Sequence, residues 1–108
     1  MIGGKKINTE TYQFIRLDKD DNVVIVLKPF TPGEDIETKE GIIVVRDHIP
    51  TGHKMAIINI PQGSMVIKYG EEIGEAVETI EAGQHVHVHN VRDITSEVSE
   101  RERKRLGL

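Results

Sequence analysis

The chain has 108 residues, no cysteine and a formal net charge of −4, which excludes a disulfide scaffold, a thiol nucleophile and a thiolate-bound metal. With 37% hydrophobic and 30% charged residues it has the balance of one soluble domain with a modest core, and no apolar run approaches the roughly 20 residues of a membrane span. Its basic clusters, Lys5 with Lys6 and Arg101 to Arg105, lie at the termini, so neither nucleic acid nor a membrane is expected as a partner.

Residues 1–11 read as an N-terminal extension; MIGGKKINTE lacks the apolar core of a signal peptide, and a cytoplasmic location is expected. From Tyr12 the period turns to that of strands. YQFIRL (Tyr12 to Leu17) alternates, and NVVIVLKPF (Asn22 to Phe30) and GIIVVRDHI (Gly41 to Ile49) are buried-strand runs. KMAIINI (Lys54 to Ile60), SMVIKYG (Ser64 to Gly70) and HVHVHN (His85 to Asn90) complete the β candidates. Between them the same punctuation returns as TPGED, IPTGHK, IPQGSM and IEAGQH; Pro presets one turn angle, and Gly permits the conformation that completes the turn. The acidic DKDDN (Asp18 to Asn22) reads as a further turn. It fails as a calcium loop, because Val23 stands where an EF-hand requires Gly and no Glu follows at the closing position.

Residues 91–108 read as a tail or linker. In TSEVSERERKRLGL, Thr95 or Ser96 could cap a short helix whose acidic start and basic end match the helix dipole, but its apolar residues are few, Val98 and Leu106 among them. Such a segment suits a linker that docks on a partner. Short strands, Gly and Pro turns and few helices predict an all-β fold: a small barrel or a convoluted clip of hairpins, its core filled by Ile and Val because only four aromatic residues are present.

AGQHVHVHN (Ala82 to Asn90) carries three of the five histidines at alternate positions. On a strand, His85, His87 and His89 share one face, and neighbours on that face stand about 6.5–7 Å apart at Cα. Two such imidazoles can converge on one ion or one anion. His85 and His89, about 13 Å apart along an extended strand, could not both reach it without strain, so spacing allows a two-histidine contribution completed from elsewhere, and equally a polar exposed strand face. His53 follows a turn glycine and is expected at a loop mouth. Lys68 alternates with Ile67 and Tyr69, which aims it away from them, either into solvent or toward an anion.

Ile49-Pro50-Thr51-Gly52-His53-Lys54, then Val66-Ile67-Lys68-Tyr69-Gly70, then Ile73-Gly74, then Gly83-x-x-Val86-His87-x-His89-Asn90 resembles the N-terminal SAF-type domain of the altronate and galactarate dehydratase family. The resemblance covers about residues 12–90. It implies a compact β-clip fold, as in sialic-acid synthase tails and type III antifreeze proteins. It also implies that the chain is a small subunit or N-terminal domain acting with a large dehydratase subunit, with sulfolactate sulfo-lyase as a relative that eliminates sulfite instead of water. The pattern often has an aromatic at the position of His85.

By the same resemblance, His53, His87 and His89 are expected to be catalytic, and Lys54, Lys68 and Asn90 to bind the sugar acid. Asn90 could instead orient a histidine or end the strand. Ferrous iron or another divalent metal is the implied cofactor, held by His87 and His89 with help from the large subunit. Dehydration of a sugar acid requires a base for the proton beside the carboxylate, an acid for the leaving hydroxyl, and a cation to stabilise the enediolate. Rival readings are a sulfo-lyase small subunit and a non-catalytic module that holds a carbohydrate or a protein; a homo-oligomer is compatible with each.

Overall fold

Backbone pairing, more than side-chain pattern, organises this chain, and it does so through strands shorter than the apolar runs that contain them. The computed structural model describes residues 13–107, so the expected N-terminal extension lies outside the described residues. The strands are β1 (Phe14–Ile15), β2 (Val23–Val26), β3 (Asp35–Thr38), β4 (Gly41–Val44), β5 (Lys54–Ala56), β6 (Met65–Lys68), β7 (Glu71–Ala76), β8 (His85–Val86) and β9 (Val91–Asp93), followed by helix α1 (Thr95–Leu106). All pairings are antiparallel, in sheets ordered β1-β2-β5-β8, β3-β4 and β6-β7-β9. This is the all-β architecture that the turns and periods predict.

The recurring turns mark an internal repeat. Phe30 and Ile49 exchange backbone hydrogen bonds at 2.9 and 3.0 Å, as Ile60 and Ile80 do at 2.7 and 2.8 Å. Gly33 N–H donates to Val45 O and Gly63 N–H to Ala76 O, while Gly52 N–H donates to Val26 O and Gly83 N–H to Ala56 O, all at 2.8 Å. The second half therefore copies the first contact by contact. Each half has its own apolar cluster: Val24, Val26, Phe30, Ile36, Ile49 and Met55 lie in one, and Val23, Ala56, Ile60, Val66, Ile80 and Val86 in the other. Successive residues of a strand face opposite ways, so Val23 and Val24, like Met55 and Ala56, serve different clusters. The β2–β5 pair is the wall that the two halves share.

Three strands went unread in the sequence. β3, β7 and β9 are DIET, EEIGEA and VRD, too polar for apolar alternation to stand out. β9 pairs with β7 from Gly74↔Asp93 to Ala76↔Val91, so chain expected to be tail past Asn90 is sheet as far as Asp93. The acidic turn is likewise more than solvated chain. Asp21 is 2% exposed, and its carboxylate accepts hydrogen bonds from Asp18 N–H at 3.0 Å and Gly70 N–H at 2.8 Å. Asn22 donates to Met65 O at 3.0 Å and accepts from Ile67 N–H at 2.7 Å. Together they fasten β6 and its turn to β2.

Helix α1 forms with Glu97 in its first turn, Arg103, Lys104 and Arg105 in its last, and Gly107 closing it at φ 75. Its start is capped by neither Thr95 nor Ser96. Asp93, two residues before Thr95, accepts from Thr95 N–H at 2.8 Å and Thr95 Oγ–H at 2.6 Å instead. No residue of the helix is buried; ion pairs of Arg92 with Glu97 and of Arg101 with Glu72 tie it to the sheet.

Candidate functional site

The histidines gather where β5 and β8 run out of sheet. Gly52, at φ 87, lets the Pro50–Gly52 turn reverse the chain, and His53 emerges just before β5 with its N–H donating to Pro50 O at 3.0 Å. Across the ladder Lys54 pairs with Val86 and Met55 with His85; continued by one residue, that register sets His53 opposite His87. His85 and His87 thus share a face, as alternation predicts, and His53 joins them from the neighbouring strand.

The rings are close. His53 Nδ1 lies 2.9 Å from His85 Nε2, a hydrogen bond with one proton between two nitrogens. Ring centroids are 4.6 Å apart for His53 and His87, 5.3 Å for His85 and His87, and 5.0 Å for His53 and His85. One ring nitrogen from each of His53, His85 and His87 lies within 4.8 Å of the other two. Among the described residues this is the group of three that could share an ion, and it differs from the expected pair of His87 and His89 by including His53 and His85. His85 belongs to it; His89 stands at its margin, with its ring 5.4 Å from that of His85.

The reason is that the strand stops. After Val86 the chain turns through His87, Val88 and His89, so the even spacing of an extended strand does not continue to His89. Asn90 makes that turn. It is 3% exposed; its side-chain oxygen accepts from His87 N–H at 3.0 Å, its amide nitrogen donates to His85 O at 2.8 Å, and its own N–H donates to His87 O at 3.1 Å. Both ends of the amide are therefore bonded to the backbone of the histidine segment, where they end the strand. Asp47, which nothing in its surroundings Arg46-Asp47-His48 singles out, accepts from His85 N–H at 2.9 Å and fixes that residue from the other side.

The electrostatics are cationic and self-limiting. Burial pushes His85 below the ordinary imidazole range, and His53, His87 and His89 add to the shift while Asp47 opposes it. Partial loss of hydration lowers His87 too, assisted by His53, Lys54 and His89. Lys54 is lowered by burial and by Lys68. Lys54 is thus electrostatically within reach of both Lys68 and His87, a convergence of the two expected substrate lysines that their spacing does not reveal. Neither lysine makes an ion pair among the described residues. Lys68 Nζ lies 5.0 Å from the Tyr69 ring centroid, and Tyr69 itself is held at φ 60 in the β6–β7 turn. Two surface grooves lie away from this constellation. One runs past Phe14, Arg16, Glu37 and Glu40, the other under α1 beside Met65 and Ile94, and neither is lined by histidine.

Residues 12–94 match the family model described as the altronate/galactarate dehydratase SAF domain. The chain belongs to this family. It is 38% identical to the altronate dehydratase of Bacillus subtilis (strain 168) over 79% of its own length, but spans 17% of that protein. It is also 38% identical to the (2R)-sulfolactate sulfo-lyase subunit alpha of Chromohalobacter salexigens, with 73% of this chain covering 92% of that subunit. To the galactarate dehydratase (L-threo-forming) of Escherichia coli (strain K12) it is 35% identical, over 72% of this chain and 15% of that protein. The chain thus spans less than a fifth of the dehydratases and nearly all of a separate lyase subunit. No helix among the described residues is long and apolar enough to cross a membrane.

Proposed function

We propose that this chain is the small, histidine-bearing part of a sugar-acid dehydratase of the altronate or galactarate type, and that it works against a large dehydratase subunit that completes the site. The observation that carries the reading is the convergence of His53, His85 and His87 beside Lys54 in a chain of this family. The reaction takes the proton from C2, beside the carboxylate, and expels the C3 hydroxyl as water; the enol left behind becomes a 2-keto-3-deoxy acid. Lys54 and Lys68 attract and neutralise the substrate carboxylate, which makes the C2 proton more acidic. His87, exposed and held below the ordinary imidazole range by partial loss of hydration, offers a nitrogen for that proton when no ion is bound; where His53, His85 and His87 hold an ion their ring nitrogens are taken, and proton transfer falls to His89 and to the large subunit.

A ferrous or other divalent ion would stabilise the enediolate when bound. The donor set fits it: three imidazole nitrogens within reach of one another are borderline ligands suited to iron, zinc, nickel or cobalt.

A second reading has its own support. Because the chain covers 92% of a subunit alpha of (2R)-sulfolactate sulfo-lyase, it could serve an elimination in which sulfite leaves from the carbon next to the one that loses its proton. Both reactions begin at a carbon beside a carboxylate, so the same residues would act. The deciding experiment is to purify the chain with a large dehydratase-like subunit and to assay altronate, galactarate and sulfolactate. The dehydratase reading expects 2-keto-3-deoxy acid from the complex, none from the chain alone, and a loss of at least about a hundredfold in kcat/KM for His87→Ala. Sulfite release would move the assignment to the second reading; turnover by the chain alone, or a His87→Ala complex at the parent rate, would overturn the proposed division of labour.

A further inference from the structure

We propose that His53, His85 and His87 form a three-nitrogen site for one divalent first-row transition ion, and that this chain binds the ion without a partner. The inference deepens the reading above by placing within the small chain the ion that the chemistry would use. Its test involves no turnover, so either idea can fail while the other stands.

The argument begins with ligand count. Two imidazoles leave most of a coordination shell to water, whereas functional sites have three or more protein ligands. The expected pair of His87 and His89 would have made a weak site dependent on the large subunit. His53 alters this, because the β5–β8 register brings it against His87 from 34 residues earlier in the chain and against His85 from 32 earlier. Two nitrogens bound to one ion at about 2.1 Å stand about 3.0 Å apart in neighbouring positions and about 4.2 Å apart in opposite ones. The 2.9 Å of His53 Nδ1 to His85 Nε2 matches the neighbouring arrangement, and the 4.8 Å limit on the whole group leaves an adjustment of less than an ångström for the widest pair.

The site is also held from behind. Asp47 fixes the backbone of His85, and buried Asn90 fixes the backbone of both His85 and His87. His53 is fixed by its own turn and by its carbonyl, which accepts from Val26 N–H at 2.9 Å. Three rings positioned by three separate backbone anchors lose little freedom when they close on an ion, and such preorganisation is what a metal site requires of its support. The alternative occupant of the space is a shared proton. One proton satisfies the His53–His85 contact but leaves His87, at 4.6 Å and 5.3 Å from the other two ring centroids, without a part in it. An ion engages all three.

The probe is the metal itself, added to the full 108-residue chain. Titration with Co2+ should give a visible ligand-field band that saturates at one ion per chain and is displaced by Zn2+. Addition of Zn2+ should shift the ring 15N signals of His53, His85 and His87 and leave those of His48 in place. His85→Phe retains an aromatic ring without nitrogens, and should weaken Co2+ binding by at least about tenfold, as should His53→Phe; His48→Ala should change it less than about twofold. The 15N shifts are read in the parent protein, so they decide the matter even where a variant fails to fold. The proposal is overturned by the absence of a saturable one-to-one complex. It is equally overturned by ring shifts confined to His87 and His89 with His53 unmoved, or by binding that His53→Phe and His85→Phe, folded, leave unchanged.

Discussion

Replacing Asn90 by alanine tests whether the histidine turn is built by one buried amide. The substitution removes the acceptor for His87 N–H and the donor to His85 O, at 3.0 and 2.8 Å, from a side chain that is 3% exposed. A buried backbone group left without a partner costs about 1–3 kcal/mol. Two groups are orphaned here, but His87 stands at the surface and water can reach part of the gap, so the expected loss is about 2–4 kcal/mol. Against a stability of roughly 5–15 kcal/mol for a domain of this size, and a urea dependence of about 1–3 kcal/mol per molar, the unfolding midpoint should fall by roughly 1–2 M. Asn90→Asp is the informative companion: it retains the acceptor for His87 N–H but sets a carboxylate oxygen against His85 O, so it should rescue little. Urea denaturation followed by circular dichroism reads both variants. An Asn90→Ala midpoint within about 0.2 M of the parent would refute the reasoning, because it would mean that the turn satisfies its backbone without the amide.

Gly83 and Gly52 occupy equivalent turns of the repeat, both at positive φ, but a Cβ on Gly83 would lie 2.2 Å from Val44 O, whereas one on Gly52 would meet nothing within 4 Å. Gly52→Ala should therefore cost only backbone strain, about 1–2 kcal/mol, and Gly83→Ala distinctly more; equal urea midpoints would dismiss the close approach to Val44. For pH, the depressed folded-state pKa of His85, caused first by burial, means that the unfolded chain takes up its proton more readily. Its stabilising contribution is full above the unfolded value of about 6.5 and is lost as pH falls through the folded one. The stability of the parent relative to His85→Phe should accordingly shrink between about pH 7.5 and pH 5, and a gap that widens on acidification would contradict the sign.

What the sequence determines by itself is local. Pro and Gly at the recurring turns dictate where the chain reverses, because ring closure and a missing Cβ act within a residue or two. The acidic start and basic end of α1 act over one helical turn, and alternation places His85 and His87 on one face whatever that face meets. Period is silent about the opposite side of the ladder. That His53 faces His87, that Lys54 feels Lys68, and that Asp21 and Asn22 are buried because distant backbone needs their oxygens and amides are all products of register and closure. The polar strands β3, β7 and β9 escaped notice for the same reason, since a ladder of N–H and C=O groups asks little of the side chains and leaves no apolar signature. The histidine strand is also shorter than alternation suggests, because its end is imposed by Asn90 folding back on residues three and five positions earlier, a turn that a period of two cannot register.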